Sequence, residues 1–151
     1  MTFVKELMAG WGDMDFNSHM RNTAYLDKSG DVRMLFFAEN GFPMTEFMRL
    51  RVGPVVMKDE VEYFREVQLL QVINGSLALA GLSEDGSRFI LRNEFHHGDG
   101  KLAARVTSNC GWLDLAGRKL IAPPSHLLEV MNKLARTEDF EALPTRIKSG
   151  P

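Results

Sequence analysis

From Pro54 to Ile121 the chain keeps returning to a two-residue period, interrupted only by short turn signals. Val55 to Phe64, Ser76 to Leu82, Phe89 to His96, Leu102 to Leu115 and Arg118 to Ile121 each alternate, or run apolar, as strands with a buried face do. The breaks at Glu84-Asp85-Gly86, Gly98-Asp99-Gly100 and Ala116-Gly117 are too short to hold a crossover helix, so successive strands are expected to pair antiparallel. Leu69 to Ile73 continues the extended chain, and Asn74-Gly75 is expected to be a bend, bulge or tight turn. A doubly wound parallel sheet cannot be built from such a run.

One long helical stretch precedes it. Between Asn22 and Asn40, Tyr25, Leu26, Ser29, Gly30, Arg33, Phe36 and Phe37 recur at three- and four-residue spacing, and Gly41 with Pro43 ends the pattern. Gly30 in mid-helix costs about 1 kcal/mol against alanine. With Ser29 it forms a small flat patch, and the expected use of that patch is close approach of a sheet backbone. Thr2 to Ala9 is expected as a strand and Thr45 to Arg51 as a short helical turn. After Pro123-Pro124, Ser125 is placed to cap a helix from His126 to about Arg136, with Leu127, Leu128, Met131 and Leu134 on one face. The expected class is therefore α+β. A single antiparallel sheet of five or six strands curls around a central helix at about 22–40, with a C-terminal helix at about 125–136. Residues 1–142 form one domain in this reading, and 143–151 a loose tail.

At 151 residues the chain has single-domain size. Its net charge of −2 gives no electrostatic reason to expect nucleic acid or an anionic membrane. No apolar run approaches the ~20 residues of a membrane span. The first residues lack the basic-then-apolar order of a signal peptide, and the lone Cys110 excludes an intramolecular disulfide, so a cytoplasmic location is expected. Cys110 falls in a strand, where a small buried hydrophobe is the expected role. His96 and His97 would point to opposite faces of their strand, with no further ligands at zinc spacing, so no metal is expected.

The chemistry-bearing residues crowd just ahead of the long helix. Asp13, Asp15, Asn17, Ser18 and His19 fall within a segment that has no apolar period and so reads as a loop. A carboxylate there can act as base or nucleophile, and the unpaired amides of a helix N-terminus can hold a developing negative charge. A Ser–His–Asp triad is excluded, because adjacent Ser18 and His19 cannot readily align and the nucleophile-elbow context is missing.

This stretch, together with the element order, resembles the hotdog-fold acyl-CoA thioesterases of the 4-hydroxybenzoyl-CoA thioesterase-like branch. Asp13, Asp15, His19 and Asn22 match its Asp-x-Asp-x-x-Gly-His-Val-Asn-Asn motif, and Tyr25-Leu26, Asp31 and Arg33 match the following helix. Val61 to Arg65, Glu84-Asp85-Gly86, Gly98 to Ala104, Trp112 to Arg118 and Pro123-Pro124 resemble its later strands and turns, so the likeness covers about residues 3–135. Ser18 stands where glycine is usual, Met20-Arg21 where Val-Asn is usual, Glu66 where proline often stands, and Leu70-Gln71 where Gly-Asp is common.

The resemblance implies hydrolysis of an acyl-CoA thioester, with Asp15 as general base or nucleophile and the backbone amide of Asn22 as oxyanion donor. Asn17 and His19 join them as catalytic candidates, while Asp13 is expected to brace the loop. Tyr25 is expected against the acyl group or a neighbouring subunit. Coenzyme A carries three phosphoryl groups, which makes Arg65 and Arg92, with Arg88 and Arg105, the basic candidates for binding it. No cofactor is implied beyond the coenzyme A of the substrate. A homodimer with a continuous sheet and shared active sites is implied, often paired into a tetramer. Two rivals share the fold: an acyl-CoA hydratase or dehydratase, and a non-catalytic acyl-CoA-binding protein.

Overall fold

The computed structural model describes residues 2–145. Strand β1 (Phe3–Met8) leads through a 3-10 turn (Trp11–Asp13) and a loop into α1 (Asn22–Glu39) and α2 (Met44–Leu50). Strands β2 (Val52–Tyr63), β3 (Val72–Ser83), β4 (Arg88–His97), β5 (Leu102–Asp114) and β6 (Lys119–Ile121) follow, then α3 (Ser125–Met131) and β7 (Arg136–Leu143). The architecture is the hotdog fold, α+β, with a sheet around α1. The sheet has seven strands in the order β1-β3-β4-β5-β2, with β6 on β5 and β7 on β3. Every pairing is antiparallel except β3 with β7.

Three expectations need correction. The strand count exceeds five or six because Arg136–Leu143, expected as the end of a helix and the start of a tail, is β7, and α3 stops at Met131. Leu143 thus belongs to the sheet, and of the expected tail only 146–151 lies outside the described residues. Next, β3 runs straight through Asn74-Gly75, pairing Gly75 with Lys5 on one side and Phe95 on the other. The chain reverses earlier, between Tyr63 and Val72.

The third correction follows from the second. A Cβ on Gly75 would stand 3.1 Å from Leu7 Cδ1, 3.2 Å from Phe95 Cε1 and 3.3 Å from Val32 Cγ2. Gly75 is therefore the glycine that lets helix and sheet approach, and it lies on the sheet. Around Gly30 nothing lies within 4 Å of the Cβ position, so its small patch is not filled by a backbone.

The core lies along α1 in two clusters, with Leu7 packed against both. Toward the helix C-terminus, Phe36, Phe37, Phe42, Phe47, Phe89 and Trp112 pack together. Their edge-on and stacked contacts are each worth about 0.5–1.5 kcal/mol beyond area burial. Toward its N-terminus, Met20, Ala24, Tyr25, Val67, Ile73 and Phe95 form a second cluster. One set of buried polar groups is joined through the helix. Arg33 donates from Nε to Asn93 Oδ1 (2.8 Å) and from Nη2 to Ser108 Oγ (2.8 Å), and Ser108 donates on to Asp59. Asn93 and Ser108 are wholly buried, and the guanidinium supplies the donor that the Asn93 Oδ1 needs, while Asn93 Nδ2 donates to Ser76 O at 3.1 Å. Among the described residues no helix is long and apolar enough to cross a membrane.

Candidate active site

The loop between the 3-10 turn and α1 is closed on itself. Met14 and Met20 form an antiparallel bridge, and inside it the Asp15 amide donates to His19 O at 2.8 Å. Turning the chain in so few residues requires one left-handed residue, and Ser18 supplies it with φ +66°. Glycine takes that conformation without cost, which accounts for glycine at this place in the motif. The Met20 amide, donating to Val67 O at 2.7 Å, ties the loop to the segment between β2 and β3.

Asp15 is held by the turn it begins. Its Oδ1 accepts from the Asn17 amide at 2.8 Å and the His19 amide at 3.1 Å, which leaves Oδ2 without a partner among the described residues. Asp13 faces elsewhere, with Oδ2 accepting from the Gly10 amide (2.8 Å) and meeting Lys28 Nζ at 2.9 Å. Burial alone raises the Asp13 pKa, but Lys28 and the Gly10 amide outweigh it and hold the carboxyl below its ordinary value. Asp13 braces the loop against α1.

α1 opens at Asn22 behind an extended Arg21, with no side chain capping its first turn. The Arg21 side chain points away, donating to Gly12 O and Thr23 Oγ1. The Asn22 and Thr23 amides therefore keep their free donors at the positive end of the helix, while the Ala24 amide donates to Arg21 O at 3.0 Å. Asn22 lines a cleft of about 350 Å³ together with Asp15, His19, Tyr25, Tyr63 and Arg65, among others.

Tyr25 is buried edge-on against Tyr63 and Phe95. Burial foremost, then the neighbouring Tyr63 and Asp15, pushes its pKa up to about 12, so at neutral pH it is a neutral phenol. Tyr63 Oη donates to Asn22 O at 3.4 Å, which packs β2 against the start of α1. His19 Nε2 lies 2.9 Å from Glu66 Oε2, a bond across the cleft between two loops. Arg65 leans over the rim, donating to Leu102 O at 3.0 Å. It also borders a wider polar hollow of about 740 Å³ carrying Gln71, His97 and Lys101.

The structure thus brings Asp15, His19, Asn22, Tyr25 and Arg65 to one cleft. Asn17 contributes its amide to Asp15, while its side chain is exposed outside the cleft lining. Arg92 does not join them: it forms a two-pronged pair with Asp139 of β7 at 2.8 and 3.1 Å, and its Nε donates to Thr107. Arg105 is held by Glu94 and Glu62, and Arg88 by Pro144 O. Sequence reasoning passed over Tyr63 and Glu66 as site residues. Nothing local marks Glu66 as the partner of a histidine so distant in the chain, although its departure from the usual proline was a signal.

Against known proteins, the model of the thioesterase-like superfamily matches residues 9–131. No curated protein matches the chain in sequence. Solved structures share the fold. The hypothetical protein SAV2348 from Staphylococcus aureus, solved in complex with CoA, is similar at 19% identity and a TM-score of 0.80, over 99% of this chain and 90% of that one. Slr0204, a 1,4-dihydroxy-2-naphthoyl-CoA thioesterase from Synechocystis, is similar at 14% identity and a TM-score of 0.78, over 89% and 98%. The DHNA-CoA thioesterase from Staphylococcus aureus is similar at 15% identity and a TM-score of 0.79, over 87% and 89%.

Proposed function

Since the chain belongs to the thioesterase-like superfamily, we propose that it hydrolyses an acyl-CoA thioester to the free acid and coenzyme A. One observation carries this reading: the Asp15 carboxylate and the uncapped N-terminus of α1 border the same cleft. With the thioester carbonyl oxygen on the Asn22 amide, the carbonyl carbon lies open to attack from the Asp15 side. As general base, Asp15 takes a proton from water while the hydroxide adds to the carbon. As nucleophile, its free Oδ2 adds directly and water later cleaves the anhydride. In either case negative charge builds on the carbonyl oxygen at the positive end of α1. The C–S bond then breaks, and coenzyme A leaves as a thiolate that takes up a proton.

Arg65 and Lys101 beside the wide hollow supply positive charge for coenzyme A phosphates at the cleft mouth. The lone buried Cys110 fits a cytoplasmic setting. A homodimer joined along β2, itself able to pair into a tetramer, accompanies this reading. The outer edge of β2 bonds to no strand among the described residues, and Val56, Met57, Tyr63 and Phe64 beside it are exposed.

Thiol release from a panel of acyl-CoAs, measured on the parent and on Asp15→Asn, tests the proposal. Asparagine keeps an oxygen for the two loop amides but has no basic or nucleophilic carboxylate, so the rate should fall on the order of 10²–10⁴-fold. Full activity in Asp15→Asn would refute the mechanism.

A further inference from the structure

Two departures from the expected motif stand on opposite sides of one contact. Ser18 occupies the left-handed position where glycine is usual, and Glu66 stands where proline is common. The residue after Ser18 meets Glu66 in space, with His19 Nε2 2.9 Å from Glu66 Oε2. One residue further along on each side, the Met20 amide donates to Val67 O at 2.7 Å. The Asp15 turn is thus tied to the segment between β2 and β3 by two adjacent bonds, one through the backbone and one through side chains.

The side-chain bond ends on the residue that orients the carboxylate. The His19 amide donates to Asp15 Oδ1 at 3.1 Å, and the His19 carbonyl accepts from the Asp15 amide at 2.8 Å. An ionised carboxylate can only accept, so His19 Nε2 carries the proton that it shares with Glu66. A left-handed serine is held in place by its surroundings rather than by its own preference. Proline at 66 would stiffen the facing backbone but bring no acceptor for the imidazole. Glutamate brings one, at a place that borders the Asp15 cleft. Its side chain is 66% accessible, so the bond adds little to global stability. The local effect is larger, since a misplacement of about 1 Å near a reacting group costs on the order of 10²-fold in rate.

We propose that Glu66 is a positioning residue: by holding the His19 ring it keeps the turn in place, and with it the aim of the free Asp15 Oδ2 at the substrate carbonyl carbon. The inference rests on the thioesterase reading for the reaction it serves. Glu66 also borders the polar hollow. An effect of its charge on coenzyme A would therefore appear in KM, and equally in any uncharged variant.

The test compares the full-length parent, Glu66→Ala and Glu66→Gln on acetyl-, hexanoyl- and benzoyl-CoA, by thiol release. Glu66→Ala should lower kcat by about tenfold with KM within about twofold. Its Tm should move by no more than about 2 °C. Glutamine keeps an oxygen for Nε2–H, so Glu66→Gln should restore most of the rate. Placed in a His19→Ala background, Glu66→Ala should cost nothing further. An unchanged kcat in Glu66→Ala overturns the proposal, as do equal losses in both Glu66 variants or additive losses with His19→Ala. If the parent releases thiol from none of the three, the thioesterase reading fails, and nuclear magnetic resonance of the His19 ring and amide decides the positioning alone. A ring protonated at Nε2 in the parent and in Glu66→Gln, but mixed between tautomers in Glu66→Ala with a shifted His19 amide, supports it. A ring and amide that Glu66→Ala leaves unchanged overturn it.

Discussion

Two glycine-to-alanine substitutions on facing elements should change stability in opposite directions. Gly75 needs no left-handed backbone, so only space opposes a side chain there. An added methyl would press on Leu7, Phe95 and Val32 at 3.1–3.3 Å, on three different elements. Val32 and Phe95 are fully buried and have no open space to retreat into, and overpacking of this kind costs about 1–3 kcal/mol. Alanine recovers roughly 0.5–1 kcal/mol of the entropy that glycine loses in a strand. Gly75→Ala should therefore destabilise by about 0.5–2 kcal/mol. Gly30→Ala meets no atom within 4 Å and gains the full helix-propensity difference, about 0.8–1 kcal/mol. At about 2–4 °C per kcal/mol for a domain of this size, Tm should fall by several degrees in the first variant and rise by a few in the second. Thermal unfolding followed by circular dichroism, at one fixed protein concentration, reads both shifts. A stabilised Gly75→Ala, or a destabilised Gly30→Ala, would show that the close approach of helix and sheet has been assigned to the wrong residue.

Ser18→Gly should stabilise by about 0.5–1 kcal/mol. It relieves a left-handed penalty of about 1–2 kcal/mol and returns part of it as chain entropy; a chemical denaturation midpoint that falls would contradict this. Asp13→Asn should cost about 1 kcal/mol at neutral pH by weakening the Lys28 and Gly10 contacts. Because the folded pKa of Asp13 lies below the ordinary 3.8, its contribution is present above that value and lost as pH falls through the folded one. The gap between parent and variant in urea midpoints should thus close only below pH 3.8, and a gap that persists into strong acid would rule out the ionic brace. A single turnover in heavy-oxygen water separates the two roles of Asp15. A general base puts the label in the product acid and none in Asp15, whereas label found in the Asp15 carboxylate shows that it served as nucleophile and that water opened the anhydride at the aspartyl carbon.

Periodicity made most of the fold legible. The stretch from Asn22 to Asn40 became α1, and the alternation at 88–97 and 102–114 became two central strands. What escaped was structure decided by partners rather than by pattern. Arg136–Leu143 is polar and charged because it lies at the sheet margin, so its sequence carries no strand signal until β3 is there to pair with it. Asn74-Gly75 has hairpin chemistry, yet Val32 pressing from above gives the glycine another use. In the site, Asp15 and Asn22 were legible because both lie in one short stretch. Glu66 and Tyr63 were not, since only the return of β2 toward α1 brings them there. Arg92 was chosen for its charge, and the chain supplies Asp139 to neutralise it.

The outer edge of β3 is shared: β1 pairs with it over Val72–Leu77 and β7 over Leu79–Ser83. The first and last strands thus lie in file along one backbone, and each hides a stretch of amide and carbonyl groups that the other cannot reach. During synthesis β3, β4 and β5 can pair as they emerge, but half of that margin stays bare until β7 has left the ribosome. A nascent chain halted between α3 and β7 would present Leu79 to Ser83 as an open, apolar docking edge. Chaperone demand should therefore peak in the interval before β7 emerges, with the rest of the sheet already built.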